Sequence, residues 1–184
     1  MPDAVMLWRR LDAPGHDSAR LSFRLGRWHL AGTAVFALES RACRLDYAIT
    51  CDDRWRTMSA TVDGWIGPES VHASLKVDSA GRWSYDGRSV LECSGCVDVD
   101  LSFTPSTNLL PIRRLALAEG AEASVVAAWL RVPSMTLEKL GQRYRRVDAS
   151  RYTYESGGGR FTAELTVNEH GFVEDYPPVW RAEI

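Results

Sequence analysis

Asp98 and Asp100 lie two residues apart in Val97-Asp-Val-Asp-Leu-Ser-Phe103, where apolar and polar side chains alternate. In an extended strand, Val97, Val99, Leu101 and Phe103 take one face and the two acids take the other. The acidic Cα atoms then stand about 6.5–7 Å apart. Carboxyl groups at that spacing can share a cation, divide into an acid and a base, or accept hydrogen bonds from sugar hydroxyls. On a solvated face they would simply be matched by arginines. A polar turn, Thr104-Pro-Ser-Thr-Asn108, follows, and then Leu109-Leu-Pro-Ile-Arg-Arg-Leu115. If Arg113 and Arg114 face the same mouth as the acids, a guanidinium there can hold an anionic headgroup through paired hydrogen bonds. Successive helical side chains are about 100° apart, so only one of the two turns inward. On this reading Arg114→Ala keeps the fold and weakens binding of an anionic headgroup by roughly 1.5–3 kcal/mol.

Other chemistry is thinly represented. There is no Gly-x-Ser-x-Gly elbow, no phosphate-binding loop and no dinucleotide fingerprint. Cys43 and Cys51 sit at the ends of one alternating run and share a face. Their separation is about 26 Å, far beyond disulfide reach. Cys93-Ser-Gly-Cys96 is a lone pair without a second pair or a histidine at ligand spacing, so neither zinc nor any other cofactor is expected. Aromatic residues are plentiful, with 7 Trp, 6 Tyr and 5 Phe. Trp55, Trp65, Trp83 and Tyr85 fall in consecutive β elements and suit either a core or the wall of a cavity with a polar mouth.

The elements that must position these residues are strands. Alternation with turn signals every eight to twelve residues runs through most of the chain. Ala4–Arg10, Arg20–Leu25, Trp28–Leu38, Arg41–Cys51, Trp55–Trp65 and Val71–Asp78 read as strands, with Pro14-Gly15-His16-Asp17 a loop. Asp86-Gly87 marks a hairpin. Ala123–Val132, Leu137–Val147, Arg151–Ser156 and Phe161–Val167 continue the series, with a helix as the rival for the second of these. The segment from Tyr176 onward reads as a terminal edge. Ser106–Ala118 is the helix candidate, with Pro111 tolerated in its first turn and Gly120 ending it. So many strands with short connections imply antiparallel pairing and a sheet that curls. The expected form is mainly β: one strongly curved antiparallel sheet or incomplete barrel, with one main helix against its concave side.

With 184 residues and no linker or low-complexity run, residues 1–184 are expected to form a single domain. The net charge of −2 asks for no nucleic-acid partner. Of 22 basic residues only Lys76 and Lys139 are lysines; a GC-rich genome explains this, and guanidinium forks would also suit phosphate or carboxylate groups. The start lacks the pattern of a secretory signal and no apolar run reaches the roughly 20 residues of a spanning helix, so a cytoplasmic, non-spanning protein is expected. Oligomeric state is not legible.

Tyr47…Cys51-Asp52…Trp55-Arg-Thr57, Gly81-Arg-Trp…Asp86-Gly87, Gly95 through Asn108, Leu110-Pro-Ile-Arg-Arg-Leu115, Gln142-Arg-Tyr-Arg-Arg146 and Tyr152-Thr-Tyr-Glu-Ser156 together resemble the bacterial glycolipid-binding family across nearly the whole chain. The resemblance implies a β-rich domain similar to periplasmic lipoprotein carriers, curved incomplete barrels whose concave face holds acyl chains around short helices. It implies no catalytic residues. The expected activity is non-catalytic binding of an amphiphile, a glycolipid, with its chains in an apolar concavity. The expected ligand-binding residues are Trp55, Trp65, Asp98, Asp100, Asn108, Arg113, Arg114, Tyr144 and Tyr154. The alternative is a hydrolase or transferase that acts on a sugar or phosphate substrate through Asp98, Asp100, Arg113 and Arg114.

Overall fold

A computed structural model of the chain describes residues 3–184. Among these, fifteen strands form one curved sheet that does not close. They are β1 (Ala4–Arg10), β2 (Gly15–Arg24), β3 (Arg27–Leu38), β4 (Arg41–Cys51), β5 (Thr57–Ile66), β6 (Glu69–Val77), β7 (Trp83–Tyr85), β8 (Arg88–Val90), β9 (Asp98–Leu101), β10 (Glu122–Arg131), β11 (Thr136–Arg146), β12 (Arg151–Ser156), β13 (Phe161–Val167), β14 (Val173–Tyr176) and β15 (Trp180–Ala182). The order across the sheet is β8 to β1, then β15 down to β9. Two antiparallel meanders are therefore joined where β1 pairs with β15, Trp8 opposite Ala182 and Arg10 opposite Trp180. The expected terminal edge is interior: β15 lies between β1 and β14 because it supplies the ladder that both of them need.

The sheet departs from the antiparallel expectation at one place. β9 runs parallel to β10, Asp100 beside Trp129 and Leu101 beside Leu130. Parallel neighbours need a crossover, and the helix is part of it. A 3-10 turn, Ser106–Asn108, leads into α1 (Leu109–Leu115). The helical segment is shorter than the expected Ser106–Ala118. It stops where Ala116 turns left-handed at φ 44° and donates its N–H to the Ile112 carbonyl. Beyond it the chain is claimed by β11: Arg146 donates to the Leu117 carbonyl at 2.9 Å, and Gly120 donates to the Arg146 carbonyl at 2.8 Å. The segment read as Leu137–Val147 resolves as strand, β11, paired with β10 from Thr136 to Arg145.

β9 separates two cores. Val99, Leu101 and Phe103 pack into the larger one with Leu45, Trp83 and Leu130. The smaller one gathers Ile112, Tyr144, Tyr154 and Leu165 at the other end. The free side of β9 bends back onto the start of β5. Thr57 donates its N–H to the Val97 carbonyl and accepts at its Oγ1 from Val99 N–H, both at 3.1 Å. Simple alternation places Thr57 outside; a bulge between Thr50 and Cys51 turns it inward. Gly15-His16-Asp17 is strand rather than loop. Gly15 lies so close to Phe36 that an added Cβ would stand 2.5 Å from the Phe36 Cβ. All four cysteines are buried free thiols. Among the described residues no helix is long and apolar enough to cross a membrane.

The helix is pinned by charge as well as by Leu109, Leu110 and Ile112. Arg114 Nε and Nη2 donate to the two carboxylate oxygens of Asp98 at 2.9 and 2.5 Å. The Asp98 side chain is 1% exposed and that of Arg114 18%. Arg114→Ala is therefore not the gentle probe expected from sequence. It strands a buried carboxylate and should destabilise the protein by roughly 3–5 kcal/mol. The double variant Asp98→Leu/Arg114→Met should lose much less, because no charge is left unpaired. Urea denaturation of both variants measures this; equal losses would remove the ion pair as the cause.

Candidate functional site

One cavity opens between β9, β10, β11, the β12–β13 turn and the β14–β15 turn, with a volume of about 690 Å³. Its walls mix apolar and polar groups. Asp100, Trp129 and Glu138 form a row across β9, β10 and β11, because Trp129 is the register partner of both acids. Phe161, Tyr176 and Trp180 face them from the far side, and Thr104 and Asn108 come from the turn before α1.

Asp100 is held by one neighbour. Gln142 Nε2 donates to its Oδ2 at 2.6 Å and, with its other hydrogen, to the Tyr154 hydroxyl at 3.0 Å. Burial pushes the Asp100 carboxyl up to about 6, against the opposing pull of that hydrogen bond. Tyr144 donates to Asn108 Oδ1 at 2.9 Å, while Asn108 Nδ2 donates to the Pro105 carbonyl. Tyr144 and Tyr154 stand 5.0 Å apart between ring centroids and continue through Tyr176 and Phe161. Trp129 carries the Arg131 guanidinium 4.9 Å from its ring centroid, and Glu138 receives hydrogen bonds from Arg131 and Thr136.

Behind Thr104 lies a second buried acid. Asp17 on β2 accepts from Thr104 Oγ1 at 2.5 Å and from the Tyr47 hydroxyl at 3.0 Å. A threonine hydroxyl has one proton. With that proton on Asp17, Thr104 must accept from Ser106, whose N–H and Oγ lie 3.0 and 2.8 Å away. Asp17 therefore sets the turn that presents Asn108. Burial pushes its carboxyl up to about 7, although the hydroxyl donors oppose the rise.

The expected residues do not converge on one mouth. Asp100, Asn108 and Tyr154 line the large cavity, with Tyr144 buried against Asn108. Asp98 and Arg114 satisfy each other. Trp55 and Arg113 belong to a separate pocket of about 260 Å³ that also includes Trp28 and His170. Trp65 lies on the outer face of β5, 38% exposed. The acid–arginine quartet envisaged for an enzyme is thus divided among three places. Sequence reasoning passed over Trp129, Glu138, Gln142, Phe161, Tyr176, Trp180 and Asp17. The even-numbered run Glu138, Leu140, Gln142, Tyr144 on one face of β11 was the available signal for part of this set.

Folded Asp17 keeps its proton to about pH 7, whereas the unfolded group releases it near 3.8. Between these values the folded state binds more protons, so stability falls as pH rises from about 4 to about 7 and then levels. At about 1.36 kcal/mol per pH unit the loss reaches roughly 4 kcal/mol. Asp17→Asn should lack this component, so the difference in unfolding free energy between the two proteins should move in the variant's favour from pH 5 to pH 8. Parallel curves in urea denaturation at the two pH values would place Asp17 ionisation outside the folding equilibrium.

A solved structure of a DUF1089 family protein from Pseudomonas aeruginosa shares the fold, with 31% sequence identity and a TM-score of 0.77 over 90% of this chain and 91% of that one. Comparison with curated proteins gives no match. The family described as "Putative glycolipid-binding" matches residues 5–182, and the chain belongs to that family.

Proposed function

We propose that the protein binds a glycolipid or closely related amphiphile without transforming it, and that the cavity beside Asp100 receives the headgroup. The family supports a binding role in general. The observation that carries the finer reading is the Asp100–Trp129–Glu138 row: an indole face between two acceptors, opposite more aromatic surface. Sugar rings present apolar faces and a rim of hydroxyl donors, and this wall matches both.

The volume constrains how the ligand lies. About 690 Å³ is within the usual range of a small-molecule site, roughly 300–1,000 Å³. The interior of the sheet is filled by the protein's own side chains, among them Trp8, Trp83 and Phe172. A compact headgroup and the start of a chain are accommodated in the cavity; long acyl chains extend through its mouth. This modifies the expectation that whole chains lie in a hollow concavity. The protein acts on this reading as a carrier or sensor of one headgroup, with neither nucleic acid nor a cofactor required.

Native mass spectrometry of gently purified protein tests for a retained lipid, and displacement of a fluorescent fatty-acid probe by glycolipid extracts gives affinities. Trp129→Ala should weaken glycolipid binding by roughly 1–3 kcal/mol while leaving the cores intact. Binding should also strengthen as pH passes upward through about 6, the value at which Asp100 loses its proton, because an ionised carboxylate is the stronger acceptor for sugar hydroxyls. Asp100→Asn should flatten that profile. Folded wild type that takes up neither probe nor lipid would end the proposal.

A further inference from the structure

The smaller pocket holds an arginine arranged as though for a ligand. Arg113 is half-buried, and among the described residues it pairs with no carboxylate. Its position is nonetheless fixed from three sides. Its guanidinium carbon lies 5.3 Å from the Trp55 ring centroid. Nη1 donates to the Glu169 carbonyl at 3.4 Å. Gly171, at φ 94°, packs so closely that an added Cβ would stand 2.7 Å from the Arg113 Cδ. One hydrogen bond leaves four of the five guanidinium N–H donors without an acceptor among the described residues.

The rest of the pocket is built with similar care. Trp28 stacks on Trp55 at 4.0 Å between centroids, and Phe23 packs on Trp28 at 4.7 Å. Trp55 sits at φ 67°, a conformation that costs a bulky residue energy. The turn is held there by Asp52, whose Oδ1 accepts from the N–H groups of Arg54 and Arg56. Leu21 and Ala4 add apolar wall, and His170 stands at the edge. The only carboxylate among the lining residues, that of Glu169, is 87% exposed beside His170.

We propose that this pocket is a second binding site, for a small organic anion whose carboxylate or phosphate meets Arg113 and whose apolar part lies against the edges of the stacked Trp28 and Trp55. A guanidinium with spare, oriented donors selects the anion. The stacked indoles select the apolar body, and about 260 Å³ limits that body to the size of one ring or a short chain. The site is independent of the larger cavity and of the ligand assigned there.

Two-dimensional NMR of the ¹⁵N-labelled full chain tests the assignment, because each of the seven tryptophans reports through its own indole N–H. Four probes separate the contributions: benzoate, phenyl phosphate, benzyl alcohol and inorganic phosphate. Benzoate or phenyl phosphate should shift the Trp28 and Trp55 signals and leave those of Trp129 and Trp180 in place. The stronger of the two names the anion. Benzyl alcohol and inorganic phosphate should bind at least about tenfold more weakly, each lacking one half of the match. Arg113→Gln should abolish the Trp28 and Trp55 shifts, and the wild-type pattern suffices should that variant fail to fold. Shifts confined to Trp129 and Trp180, equal binding of benzyl alcohol, or no shift up to about 10 mM would overturn the proposal.

Discussion

Burying a carboxyl group is costly unless something hydrogen-bonds it, and the inside of this sheet holds three. Each is answered differently. Asp98 meets a guanidinium from α1, Asp100 an amide from β11, and Asp17 two hydroxyls, one from β4 and one from the turn before α1. Those partners come from elements distant in sequence, so satisfying the acids also sets where the crossover between β9 and β10 must lie. Tight aromatic packing then follows a frame that the polar contacts have placed.

The same arrangement explains why the cavity is where it is. β9 has four residues in the ladder and a different environment on each face. Its apolar side belongs to the larger core. Its acidic side faces the space between β10, β11 and the β14–β15 turn, and α1 fills only the part near Asp98. What remains open is the part near Asp100. An acid whose single protein donor leaves acceptor capacity free, on the wall of an open volume, is a different object from an acid locked to an arginine two residues earlier. Their equal appearance in sequence is resolved only by which neighbour the helix delivers.

Much of the fold was legible because strand periodicity is a local property. β4, β12 and β13 begin and end where alternation and turn residues place them. The two faces of β9 were equally readable. The failures share a cause, which is dependence on residues far away in sequence. Pro14-Gly15-His16-Asp17 has loop composition, yet Gly15 extends β2 because Phe36 lies against it. The chain leaves the helix at Ala116 because Arg146 binds the Leu117 carbonyl. Arg113 and Arg114 are adjacent and identical in type, and only the assembled sheet sends one to Asp98 and the other to Trp55. The cavity could be read only in fragments, since it draws residues from strands β9 to β15 and from the crossover.

The pairing of β1 with β15 has a consequence for how the chain assembles. Within each meander, neighbouring strands are near in sequence and, apart from the parallel β9–β10 pair, can zip as successive hairpins. The seam between the meanders instead joins residues at opposite ends of the sequence, such as Trp8 and Ala182. Contacts of such long range close slowly, and during synthesis β1 must wait for nearly all the following residues. Until then it offers an unpaired edge capable of capturing another copy of the chain. Once closed, the seam brings the two ends of the described chain side by side. Joining those ends and reopening the chain at a tight hairpin such as Asp86-Gly87 would leave the ladder intact while converting its slowest contact into a local one.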